Sequence, residues 1–105
     1  MNSFDNYQSQ AMVFRKPTAD FTYAVLGLCE EAGEVAGKVA KHRRDGGTVD
    51  KLRADVKKEL GDVLWMIAAV CNDMDFDMGE VAAANLNKLS ERLARGTISG
   101  VGDDR

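Results

Sequence analysis

Five carboxylates in two short runs, Glu30, Glu31 and Glu34, then Glu59 and Asp62, are the side chains best placed to do chemistry. Glu31 and Glu34 are three residues apart, as are Glu59 and Asp62. Three residues of α-helix rise about 4.5 Å and turn most of the way round, so each pair points to one side. Converging carboxylates repel one another. Glu30 and Glu34 alone, at four-residue spacing, cost a few tenths of a kcal/mol on an isolated helix. Four or five acids gathered in a partly buried seam call for a cation. An all-oxygen set without histidine favours a hard divalent ion, Mg²⁺ with Mn²⁺ as a substitute, over zinc. The Glu-x-x-His pairs of carboxylate-bridged di-iron bundles are missing. By spacing alone the commoner outcome is a solvated acidic face, with Lys38 set to pair with Glu34 and Lys58 with Asp62. Two details count against that outcome. Gly27 and Gly33 interrupt the helix beside the acids, at roughly 1 kcal/mol each relative to alanine, which suggests close approach of a ligand or another backbone. Glu59 and Asp62 also adjoin the chain's most apolar segment, Val63 to Val70.

These acids need helices to position them, and the pattern predicts four. The first covers about Ser3 to Lys16 and stops before Pro17, because a residue preceding proline avoids the helical region. The second is capped by Thr18 or Asp20 and leaves at Asp45-Gly46-Gly47. The third runs from about Asp50 to Met74. The fourth opens at Asp77, with Glu80 as its capping-box partner, and ends near Gly96. Phe21, Val25, Leu28, Ala32, Val35, Ala36 and Val39 form one apolar stripe, and Leu52, Val56, Leu60, Val63, Ile67, Val70, Cys71 and Met74 another. On a helical wheel Glu31 and Glu59 flank these stripes, with Glu34 and Asp62 further out. Short connections favour antiparallel packing, so the expected fold is an all-α antiparallel bundle of about four helices. It spans residues 1–96, followed by a flexible, glycine-rich tail over 97–105.

With both acidic halves in hand, the chain resembles the MazG-like family of all-α nucleotide pyrophosphohydrolases. The family motif, Glu-Glu-x-x-Glu, a spacer, then Glu-x-x-Asp, reads here Glu30-Glu31-Ala32-Gly33-Glu34 and Glu59-Leu60-Gly61-Asp62, with the 24 residues Val35 to Lys58 between. Leu26-Gly27-Leu28-Cys29, Val63-Leu64, Tyr7-Gln8 and Asn85-x-x-Lys88-Leu89 extend the likeness over essentially the whole chain, and the ending from Gly100 to Arg105 resembles that of some short members. The resemblance implies Mg²⁺ held by Glu31, Glu34, Glu59 and Asp62. It places Glu30 where it orients a water or helps hold a further ion, and Glu30 and Glu31 are the candidate catalytic acids. It implies a nucleoside triphosphate substrate, a monophosphate and pyrophosphate as products, and a homodimer or homotetramer whose packing completes the bundle. House-cleaning of the nucleotide pool is the expected role. A pyrimidine-specific dUTPase- or dCTPase-like member and a non-catalytic nucleotide-binding or dimerisation module are the alternatives.

Candidate substrate contacts are Lys38, Lys41, Asn85, Lys88, Arg92, Arg95 and Arg105. Lys88, Arg92 and Arg95 share one helix face; a solvated basic face is the other reading of them, as disorder is of the tail. Trp65 and Tyr7 are expected in the core or an interface more readily than against a base. The net charge of −3 supplies no surplus to neutralise a nucleic-acid backbone. The polar stretch from Met1 to Gln10 lacks an apolar signal core, and the uncharged run from Val63 to Asn72 is too short to span a bilayer. These features point to a cytoplasmic protein without a membrane partner. Cys29 and Cys71 are expected as two buried, reduced thiols.

Overall fold

In the computed structural model, which describes residues 3–105, the chain forms four helices: α1 (Phe4–Met12), α2 (Phe21–Asp45), α3 (Val49–Asp73) and α4 (Met78–Arg95). Met1 and Asn2, the start of the expected domain and of its polar N-terminus, lie outside the described residues. Local sequence explains most of the boundaries. Ser3 accepts the N–H of Asn6, Asp20 that of Tyr23 at 2.8 Å, and Thr48 that of Lys51, each satisfying an amide that the first turn leaves without a partner. Gly46 and Gly96 adopt φ of +78° and +72°, which a side chain would strain, and so end α2 and α4.

Two expectations at helix ends are corrected. α1 stops at Met12, short of Lys16. The amides of Phe14 and Arg15 bond three residues back, to the carbonyls of Ala11 and Met12, and this tighter turn carries the Arg15 guanidinium onto Asp73 at 2.6 Å. Asp77 makes no side-chain cap to α4. The opening amides of α4 are instead served from α1: Met78 N–H donates to the Gln8 side-chain carbonyl and Gly79 N–H to the Asp5 carboxylate, both at 2.8 Å. Gln8 also donates to the Phe76 carbonyl at 2.9 Å.

α2 and α3 pack along their lengths as an antiparallel hairpin, α1 lies across α3, and α4 touches α1 and α3 but not α2. A small core of Ala11, Ala68, Cys71 and Met78 is surrounded by Tyr7, Met12, Leu64, Trp65 and Ile67. The indole N–H of Trp65 donates to the Ala11 carbonyl at 3.1 Å, tying α1 to α3. Gly27 marks the close approach of α2 and α3: a Cβ there would lie 2.7 Å from the sulfur of Met66. The open backbone at Gly27 therefore serves helix packing, whereas Gly33 faces open space.

The inward row of α2 is not the one its apolar pattern suggests. Ala24, Gly27, Leu28, Glu31, Val35, Lys38 and His42 are its buried or half-buried residues, while Val25, Ala32, Ala36 and Val39 are exposed. The inward row thus mixes Leu28 and Val35 of the apolar stripe with Glu31, Lys38 and His42, and the rest of the stripe is left outside. Cys71 is buried, but Cys29 is exposed, which corrects the expectation of two buried thiols. No helix among the described residues is long and apolar enough to cross a membrane.

Candidate metal centre

The inward turn of α2 brings Glu31 to face α3, where Glu59 sits four residues before Val63 on the row that packs against α2. Asp62 lies one turn from Glu59, at the exposed edge of the seam. One carboxylate oxygen from each of Glu31, Glu59 and Asp62 falls within 4.8 Å of the others. Magnesium binds oxygen at 2.0–2.1 Å, so ligands on opposite sides of one ion stand about 4.2 Å apart. Neighbouring ligands stand closer, about 3 Å apart, so small side-chain shifts would bring the three acids around one cation.

Electrostatics identify Glu31 as the centre of the group. Burial raises its carboxyl above the ordinary glutamate range, and the nearby charges of Asp62, Glu59, Glu30 and Glu34 raise it further. Desolvation and like charge both disfavour the ionised form, and a cation would relieve both. Glu34 and Glu30 are exposed and stand outside the triple, near enough to act on Glu31 through charge. The nearest base to the acids is Lys38, whose ammonium is 4.0 Å from Glu59. It faces across the seam rather than pairing with Glu34 along its own helix. Tyr7 of α1 reaches the same neighbourhood: burial and the charge of Asp62 raise its phenol pKa. Sequence spacing gave no warning of that proximity, because the crossing of α1 over α3 creates it.

The basic residues of α4 are engaged with the tail. Lys88 holds the Asp103 carboxylate at 2.9 Å, and Arg92 bonds both that carboxylate and the Asp103 carbonyl. Arg92 is only 4% exposed, with its Nε unpartnered, where a solvated face was the alternative reading. Arg95 donates to the Arg105 carbonyl. Arg105 itself donates to the carbonyls of Thr97, Ile98 and Gly102, folding residues 97–105 back along α4. Asn85 lines a shallow groove with Phe4, Leu64 and Met78, whose lining includes none of the acids.

An all-helical hairpin with oxygen ligands converging across its seam defines a class that comparison with known proteins makes specific. The chain belongs to the MazG nucleotide pyrophosphohydrolase family, whose domain pattern matches residues 20–95. It is also similar to the Gene 37 protein of Mycobacterium phage L5, at 45% identity over 86 residues that cover 80% of this chain and 75% of that protein. No solved structure matches.

Proposed function

We propose that this protein hydrolyses nucleoside triphosphates to monophosphate and pyrophosphate with Mg²⁺ bound at the helix seam. The observation that carries the reading is the convergence of Glu31, Glu59 and Asp62 within 4.8 Å, across two helices and within a family of nucleotide pyrophosphohydrolases. The donor set fits: carboxylate oxygens, no histidine or cysteine, and a central acid whose burden of like charge a hard cation would lift. Glu31, Glu59 and Asp62 would hold the ion, with Glu34 reaching in by a rotamer change. Mg²⁺ there would neutralise phosphate charge and acidify a bound water.

In the reaction, water oxygen bonds to the α-phosphorus, and the bond from that phosphorus to the α,β-bridging oxygen breaks. The pyrophosphate leaves with the electron pair, and the water proton passes to a carboxylate. Glu30, the acid least committed to the triple, is the residue assigned to accept it. Lys38 is assigned to substrate phosphate. Asn85, Lys88, Arg92, Arg95 and Arg105 are assigned to sugar and phosphate through the α4 face. α4 does not pack against α2 in one chain, so this face would serve the acids of a neighbouring copy. The uncovered row Val25, Ala32, Ala36 and Val39 on α2 provides a packing surface for that copy.

The test is chromatographic product analysis with dATP, dCTP, dGTP, dTTP and dUTP, with and without Mg²⁺. Monophosphate and pyrophosphate in equal amounts, only with the metal, is the expected result. Release of orthophosphate, or binding without turnover, would overturn it. Turnover confined to dUTP or dCTP would establish the pyrimidine-specific form.

A further inference from the structure

Beyond the acids, toward the loop that joins α2 to α3, the seam opens into a cavity of about 270 Å³. We propose that this cavity seats the two terminal phosphates of the substrate and afterwards the pyrophosphate product. The assignment rests on the metal-centre reading above and adds the direction in which the triphosphate lies.

The lining has the chemistry of a polyphosphate site. Lys38, Lys41, His42 and Lys51 face the cavity, and Leu52 is its one apolar side chain. The two acids on its wall are already engaged: Asp45 by Arg44 and Asp55 by Lys51, both at 2.9 Å. Lys41 makes no ion pair among the described residues, and Lys38 is 4.0 Å from Glu59. Lys41 is therefore free to meet an anion, and Lys38 has only this long contact to give up to join it.

The position follows from the helix register. Lys38 is seven residues after Glu31, and Asp55 is four before Glu59, so the cavity begins about 10 Å from the triple along α2 and about 6 Å from it along α3. Negative and positive zones thus succeed one another along a single groove. A metal at the acids would take the phosphate nearest the nucleoside, and the lysines the far end of the chain. The nucleoside is left toward α1 and Tyr7. Nucleoside diphosphates fill this arrangement incompletely, so the cavity would also set the preference for triphosphates.

His42 is the only histidine in the chain and supplies a reporter inside the cavity that needs no turnover. Its ring NMR signals would be followed while inorganic pyrophosphate is titrated with Mg²⁺ present, in the wild-type chain and in the Lys41→Ala/Lys51→Ala double variant. Both lysines are exposed, so the variant should fold. A saturable His42 shift in the wild type, with affinity about tenfold weaker in the variant, is expected. KM for triphosphate should rise about as much, and the preference for triphosphate over diphosphate should shrink in step. A wild type that hydrolyses triphosphates while His42 stays silent and the variant keeps its KM would overturn the cavity assignment and leave the proposed function standing. An equal His42 response in both proteins would also overturn it. Variant-sensitive pyrophosphate binding in a wild type with no hydrolysis would support the cavity and sink the catalytic reading.

Discussion

Glu59 and Asp62 bear on the proposed chemistry most directly: Glu59 has only a long contact to Lys38, at 4.0 Å, and Asp62 stands at the exposed edge of the seam. Glu59→Gln and Asp62→Asn should each abolish pyrophosphate release while circular dichroism stays near that of the wild type. Near-normal release by both would remove them as ligands. Glu31 gives a pH signature in the metal-free protein. Its folded-state pKa is raised, so the folded chain holds that proton more tightly than the unfolded chain. The stability this contributes is full below the ordinary glutamate range and is lost as pH rises through the raised value. Melting temperature measured with a chelator should therefore fall across that window. Saturating Mg²⁺ should reverse the fall, by about 2.7 kcal/mol at a hundred times Kd. Of the four acids expected to converge, Glu31, Glu59 and Asp62 come together and Glu34 stays outside, so three-residue spacing marked the candidates without fixing which of them meet. Their depth was not legible either. Glu31 was placed on the flank of an apolar stripe, but Gly27 lets Met66 of α3 approach so closely that α2 turns the Glu31 row inward.

Among the elements, α1 illustrates what one-dimensional reading loses. Its end was expected from Pro17, a local rule, but the chain leaves the helix after Met12, where a tighter turn carries Arg15 onto an acid far away in sequence. The Arg15–Asp73 pair has side chains 10% and 19% exposed. Arg15→Met should therefore cost about 2 kcal/mol in urea unfolding, the loss expected when a charge-assisted pair with little exposure is broken. Its hydrogen bond to Arg15 lowers the Asp73 pKa. The stability from this pair is present above the ordinary aspartate range and is lost as pH falls through the depressed value. The acid limb of a stability–pH curve should be correspondingly shallower in Arg15→Met, and an unchanged limb would show that the pair contributes nothing. The existence of all four helices was legible, since periodicity, Asp20 and the Gly46 and Gly96 stops are local signals. The cap of α4 was not, because Asp5 and Gln8 come from the far end of the chain.

At the scale of the molecule, the single chain is too open to be the whole story of its own packing. Its radius of gyration is 16.5 Å, against about 13 Å for a compact domain of this length. It exposes 7767 Å², about 2,000 Å² more than a compact chain of its mass, an excess on the scale of a stable protein interface. Leu26, Leu86 and Leu93 are 63%, 67% and 73% exposed. Sedimentation should accordingly show a dimer or larger species, and Leu26→Glu or Leu93→Glu should shift it toward monomer and make the melting temperature depend on concentration. A monomeric wild type at micromolar concentration would refute this. Finally, the clasp that Asp5 and Gln8 place on the first amides of α4 makes the start of the chain a foundation for its last helix. α4 is synthesised after α1, so its first amides meet side chains that are already made. A shortened form beginning at Asp20 should keep the hairpin and its acids yet fray the helix that carries Lys88 and Arg92.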